Sequence, residues 1–406
     1  VYGQHHYRPG FDHDRDGYTE LPQLRNQTLG LSSFYKFNPY SKISLQYHNI
    51  SEFRRGGNKL DLAAHESNIT EQGDHDINAA NLGYDWMSKD YKDRLKAYFS
   101  FSNTVRKSYY GGIGEGKPDD IETALKAYGR TTDLTTVTGL QYVHQFDNLL
   151  FMPSDLTLGA EYNHDALKDK IIGYNHLLDQ KTRISSAYFQ NEWKNQQWSL
   201  LLGGRFDKHN LIHHLIFSPR VNLRYNPTEN INLRASYSSG FRAPQAFDED
   251  LHVGFVGGTR LVTRLAKDLK EERSHSFSLS ADLYQTIGSV QTNFLVEAFY
   301  THLTDVFALK ALNEKDSEGN SVQERYNGSG AKVFGLNLEG KAAFTSWFQL
   351  QAGLTLQRSL YDEPLEWDEK APKVKKMMRT PSVYGYFTAS LTPFKNFSAS
   401  LSGNYT

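Results

Sequence analysis

The chain has 406 residues, a formal net charge of -1, no cysteine, and 25 Tyr and 24 Phe beside 4 Met and 5 Trp. The near-zero charge gives no footing for nucleic acid, and the missing cysteines exclude a disulfide scaffold and a thiolate metal site. No apolar run approaches the roughly 20 residues of a membrane-spanning helix, and mean hydropathy is -0.61; neither fact speaks against a membrane β-barrel, whose strands are apolar on one face only.

From the N-terminus the elements read as strands. The opening VYGQHHYRPG carries no signal-peptide pattern. In KISLQYHNI, Ile43, Leu45 and Tyr47 alternate with Lys42, Ser44, Gln46 and His48. DLTLGAEYN repeats this with Leu156, Leu158, Ala160 and Tyr162, and WSLLLGGRF with Trp198, Leu200 and Leu202. VNLRYNP sets Val221, Leu223 and Tyr225 against Asn222 and Arg224, and NINLRASY sets Ile231, Leu233, Ala235 and Tyr237 against Asn232, Arg234 and Ser236. FQLQAGLTLQ and FSASLSGN close the series. The period of two is that of a strand with one apolar face, and about sixteen such segments occur, with no long helical periodicity.

The connections alternate in length. Short turns fall at 38–41, 88–91, 194–197, 226–230, 285–289 and 392–396, rich in Asn, Pro and Gly. Long polar loops are expected at 51–78, 102–132, 239–273 and 358–381. Short turns at one end and long loops at the other describe an outer-membrane barrel. A soluble sandwich would not lengthen its loops on one side only, and a propeller would repeat a motif every 40–50 residues or so. The expected fold is all-β: an antiparallel up-and-down transmembrane β-barrel. Its apolar faces meet lipid and its polar faces a wet lumen. Tyr47, Tyr162, Tyr225 and Tyr237 are expected in the interfacial girdle.

At YSSGFRAPQAFDEDLH the chain closely resembles TonB-dependent outer-membrane receptors, where a strand ends and a long extracellular loop begins at Phe241–Pro244. Further matches are LLFMPSDLTLGAEYN, QNEWKNQQWSLLLGGRFDKHN, FSPRVNLRYNPTENINLRASYSSGFRAP, NGSGAKVFGLNLEGK and LQAGLTLQRSLY, so that the resemblance runs from about Tyr7 to the end. The style resembles receptors of Bacteroides-type bacteria, in the branch of vitamin B12 and ferric-siderophore (colicin I receptor-like) transporters. The resemblance implies a plug domain and a barrel of about 22 strands in the complete receptor. The expectation for 1–406 is therefore one partial barrel domain, with about sixteen of those strands, no plug and no closing C-terminal strands. It also implies a multi-pass location in the bacterial outer membrane.

Chemistry is expected in the loops. In DHDRDGYTE, Asp12, Asp14 and Asp16 alternate before Gly17, Tyr18 and Glu20, the first half of a calcium loop in which the Tyr18 carbonyl can add a ligand. The twelfth position is Gln23, so it is not a full EF-hand; a solvated acidic loop held by Asx-turns is the alternative. The vitamin B12 receptor is similar in using loop aspartates for calcium. Arg242, Asp248, Glu249 and Asp250 are ligand-contact candidates, with support of the loop base as the other role for Arg242. His5, His6 and His13, then His209, His213 and His214, offer haem or metal ligands. The basic segments 54–62 and 373–379 either solvate or meet lipopolysaccharide phosphates.

No G-x-S-x-G, H-E-x-x-H or phosphate-cradling glycine loop is present, and no enzyme is expected. The resemblance implies import of a scarce, bulky nutrient, cobalamin or a ferric siderophore, driven through TonB by way of a plug. The expected surroundings are outer-membrane lipid and lipopolysaccharide, with a surface lipoprotein as a further partner. The alternative is a non-transporting barrel acting as adhesin or partner-binding module.

Overall fold

A computed structural model describes residues 1–406 except 117, 172, 174, 175, 246–253, 257, 258, 316, 318, 320 and 366–371. In chain order the strands begin with β1 (Tyr2–Arg8), β2 (Gln23–Asn38), β3 (Ser41–Gly57), β4 (Thr70–Met87) and β5 (Asp93–Gly111). After helix α1 (Pro118–Lys126) come β6 (Tyr128–Leu149), β7 (Met152–Ile171), β8 (His176–Lys194), β9 (Trp198–His209), β10 (Ile216–Thr228) and β11 (Ile231–Arg242). Two short strands, β12 (Gly254–Val256) and β13 (Thr259–Leu265), precede β14 (Glu272–Ile287) and β15 (Val290–Thr304). The last are β16 (Phe307–Lys315), β17 (Ser321–Asn327), β18 (Ala331–Thr345), β19 (Phe348–Leu365), β20 (Val374–Lys376), β21 (Val383–Phe394) and β22 (Phe397–Tyr405).

Eighteen of these strands form one antiparallel sheet, where the sequence pattern gave about sixteen. Each long strand pairs with its predecessor, with β11 passing to β14, β15 to β18 and β19 to β21. Turns at 39–40, 150–151, 229–230, 288–289, 346–347 and 395–396 alternate with connections at 9–22, 58–69, 112–127, 243–271 and 305–330. The two unequal ends expected from the sequence are therefore real.

The strands run further into the expected loops than hydropathy indicated. Residues 51–57 and 70–78 form a continuous ladder that ends with Gly57 opposite Thr70. Residues 103–109 pair with 128–134 in the same way, and β19 continues to Leu365. Above the lipid both faces of a strand meet water, so the apolar alternation stops while backbone pairing continues. The connections also hold a separate four-stranded sheet, β12-β13-β17-β16, in which β13 and β17 are parallel.

Residues opposite each other in the ladder share a face. The row Leu200–Leu223–Ala235–Leu279–Ala298–Leu336–Leu356 crosses seven strands on the outer wall. Leu279 is 63% and Leu140 50% exposed, an apolar belt that in water would be an aggregation surface and in a bilayer is a lipid face. Trp198 stacks on Tyr225 near the short turns, and Tyr47 and Tyr162 stand on the other side of the belt, each facing out. Among the described residues, buried apolar side chains are few. The main cluster, Ala64, Tyr109, Tyr110, Ala127 and Ile171, ties the connections 58–69 and 112–127 to the tops of β5 and β7.

Candidate ligand-binding site at the long-loop end

On the inner wall, ladder register places side chains from six strands in one row: Asn26, Glu52, His75, Arg106, Thr131 and Asp169. They are knitted together. Asn26 Nδ2 donates to Glu52 at 3.0 Å, and Arg54 reaches Glu52 at 3.2 Å. Arg106 Nε donates to Thr131 Oγ1 at 3.0 Å, and Thr131 donates to Asp169. His176 Nε2 lies 3.0 Å from Asp169, and Arg106 lies 3.7 Å from it. Asp169 is fully buried. Burial alone would raise its pKa, but His176 at 3.0 Å, the hydrogen bond from Thr131 and the Arg106 guanidinium hold it below the ordinary value.

Beside this row a cavity of about 850 Å³ opens, lined by Tyr18, Arg54, Glu71, His75, Arg106 and Tyr110 among others. Arginines, carboxylates, an imidazole and phenols converge there. Such a wall can offer a bulky polar molecule many hydrogen bonds rather than one dominant charge. Sequence reasoning missed Glu52, His75, Arg106 and Asp169, because no local spacing joins residues brought together only by register.

The acidic loop forms the rim of this cavity. Its neck is a two-hydrogen-bond bridge between Phe11 and Leu21. Thr19 N donates to the Gly57 carbonyl at 3.1 Å, and Gly57 N donates to Thr19 Oγ1 at 3.0 Å. Asp12 accepts from the backbone N–H of Arg15 at 2.6 Å and of Gly17 at 2.9 Å, and Asp16 from Tyr18 N at 2.8 Å. Gly17 adopts φ 93°, which favours glycine. Asp12, Asp14, Asp16 and Glu20 each bring a carboxylate oxygen to within 4.8 Å of the others. That donor set fits a hard, oxygen-seeking cation. Tyr18 lines the cavity.

The other sequence candidates lie elsewhere. Arg242 ends β11 opposite Glu272, 3.7 Å from its carboxylate, with its guanidinium over the Phe307 ring. These contacts lie at the base of the loop that follows β11. Asp248, Glu249 and Asp250 lie outside the described residues. The second histidine group does not converge. His209 is fully buried, accepts from Leu211 N at 3.0 Å, and is held below its ordinary pKa by burial, while His214 meets Glu271 at 2.9 Å. In the basic segment 54–62, Arg55 is buried and donates to the Leu62 carbonyl and to Ser67, so it ties the loop rather than solvating.

Residues 7–406 match the family model described as TonB dependent receptor-like, beta-barrel. The chain belongs to this receptor family. The receptor barrel is 33% identical over 137 residues to the iron-regulated outer membrane virulence protein of Vibrio cholerae serotype O1, an alignment covering 32% of this chain and 20% of that one. Its fold is similar to the siderophore receptor PirA of Pseudomonas aeruginosa (TM-score 0.68, 14% identity, 94% of this chain and 63% of that one). It is also similar to the hemophore receptor HasR of Serratia marcescens, in complex with its hemophore HasA and heme (TM-score 0.73, 14% identity, 99% of this chain and 67% of that one). The chain thus spans less than two thirds of PirA and a fifth of the Vibrio protein. The receptor barrel resides in the outer membrane, and its relatives are named as receptors and outer-membrane proteins rather than enzymes.

Proposed function

We propose that the protein is the barrel of a receptor that imports a scarce iron complex, such as a ferric siderophore, with energy delivered through TonB. The observation that carries this reading is the polar inner-wall cavity at the long-loop end, in a barrel whose relatives are named for iron regulation and siderophores. In this reading Arg54, His75, Arg106 and Tyr110 contact the ligand, and a plug domain in the complete receptor supplies the contact with TonB. We propose further that Asp12, Asp14, Asp16 and Glu20 hold calcium. The ion would offset the mutual repulsion of four carboxylates and stiffen the rim against Gly57.

The test is calorimetric titration of the full-length receptor with a ferric siderophore, haem and cyanocobalamin, each with calcium and with chelator. Binding of the siderophore supports the reading. Binding of cobalamin alone moves the substrate to the vitamin. Binding of none favours a non-transporting, partner-binding barrel.

A further inference from the structure

Asp169 is one carboxylate faced by two basic side chains. Its Oδ1 accepts from Thr131 and lies 3.7 Å from Arg106 Nη2, while its Oδ2 lies 3.0 Å from His176 Nε2. All three charged groups are nearly enclosed, with side-chain exposures of 0% for Asp169, 8% for Arg106 and 9% for His176. Of the three, Arg106 alone also lines the cavity.

A single negative charge balances only one positive charge. With the imidazole neutral, Asp169 and Arg106 cancel. With the imidazole protonated, the cluster holds a surplus positive charge, and Arg106 is the member that presents it to the cavity. Water screens such a charge poorly at a buried site, so an anion in the cavity feels it strongly.

We infer that His176 is a positioning residue for the cavity: its charge sets how far Asp169 neutralises Arg106, so that an anionic ligand binds more tightly when the imidazole is protonated and takes up a proton as it binds. This deepens the iron-complex reading and rests on it for the identity of the ligand; the coupling among the three side chains stands without it.

Other titratable groups stand near. On the cavity side Glu52, Glu71 and His75 share the wall with Arg106. Gly173, close to His176 in the chain, packs on Lys126 of α1, which pairs with Glu122. Lys168 on β7 pairs with Asp179 on β8. Asp133, two residues along the top of β6 from Thr131, is pushed up to about 6 by burial and by its neighbour Asp165. Its protonation acts on an anion in the same direction as that of His176, so the difference between wild type and a His176 variant is the quantity to measure.

The test uses the full-length receptor in detergent, with heat-modifiable gel mobility to establish that each variant is folded. An anionic ferric catecholate and an uncharged ferric hydroxamate are titrated calorimetrically between about pH 8 and pH 6, within the range in which imidazole changes charge. Over that interval the affinity of the wild type for the catecholate is expected to rise roughly fivefold more than that of His176→Gln, with no such difference for the hydroxamate. His176→Arg, charged throughout, is expected to keep the tighter binding at every pH, and Asp133→Asn to leave the difference in place. A second arm needs no ligand: hydrogen exchange at the His176 imidazole C2, followed by mass spectrometry across pH, reads its titration directly. Arg106→Gln removes a repelling cation and is expected to move that midpoint upward. Parallel pH profiles for wild type and His176→Gln, or a midpoint that Arg106→Gln leaves unmoved, overturn the inference. Binding of neither probe counts against the iron-complex reading, and the ligand-free midpoint then decides the inference by itself.

Discussion

The Tyr98 hydroxyl donates to Glu161 at 2.5 Å across a whole intervening strand. The reach is made possible by Gly139, which sits between them in the ladder. A Cβ there would lie 2.3 Å from Tyr98 Cζ. Glu161 in turn accepts from Arg205 at 2.9 Å, and Arg205 donates to Asp207 at 2.8 Å. The inner wall is thus held by a polar network laid over a glycine. Gly139→Val should push the ring away, break the bond to Glu161 and cost about 2 kcal/mol. Tyr98→Phe should cost only about 1 kcal/mol, because the ring still covers the glycine. Thermal unfolding of the full-length receptor in detergent, followed by gel mobility, checks both, and equal costs would show that the glycine has no special role.

The acidic loop gives a second prediction. The double substitution Asp12→Asn and Asp16→Asn keeps side-chain size and removes two of four converging charges. Calcium affinity should fall by roughly a hundredfold, since affinity in such loops follows the count of charged ligands. Calorimetric titration of calcium into the full-length receptor reads this directly. No heat of binding in the wild type would return the loop to Asx-turns alone, which its backbone hydrogen bonds already support.

Arg242 supplies a third. It is 46% exposed in its side chain and 3.7 Å from Glu272, so the pair is worth well under about 1 kcal/mol. Its place beneath the loop predicts that Arg242→Gln changes ligand affinity less than about threefold. Titration of the proposed siderophore into the variant decides the matter, and a loss of an order of magnitude would make Arg242 a contact residue.

The membrane belt and the two unequal ends were legible because lipid imposes alternation on every strand that crosses it. Leu223, Ala235 and Leu279 announce their faces individually and then line up. The strand tops were not legible: 51–57 and 70–78 look like loop, since water on both faces erases the period. The cavity was harder still. Glu52, His75, Arg106 and Asp169 stand on four different strands and no short motif contains any two of them. The acidic loop was readable for the opposite reason, because all four of its carboxylates come from one stretch of nine residues, 12–20.

Asp169 yields the last prediction. Its folded pKa lies below that of an unfolded carboxylate, so the charged form is bound more favourably in the folded state. The stability this confers is complete above the unfolded value of about 4 and is lost as pH falls through the lower folded value. Asp169→Asn removes the charge that His176 and Arg106 face inside a buried site, at a cost of about 3 kcal/mol near neutral pH. That difference between wild type and variant should shrink as pH drops from about 5 toward 2. Hydrogen exchange of the β6–β8 strand tops, measured on both proteins across that range, reads it locally. A difference that stays constant with pH would mean that Asp169 acts through packing alone, and that the row from Asn26 to Asp169 is not organised by charge.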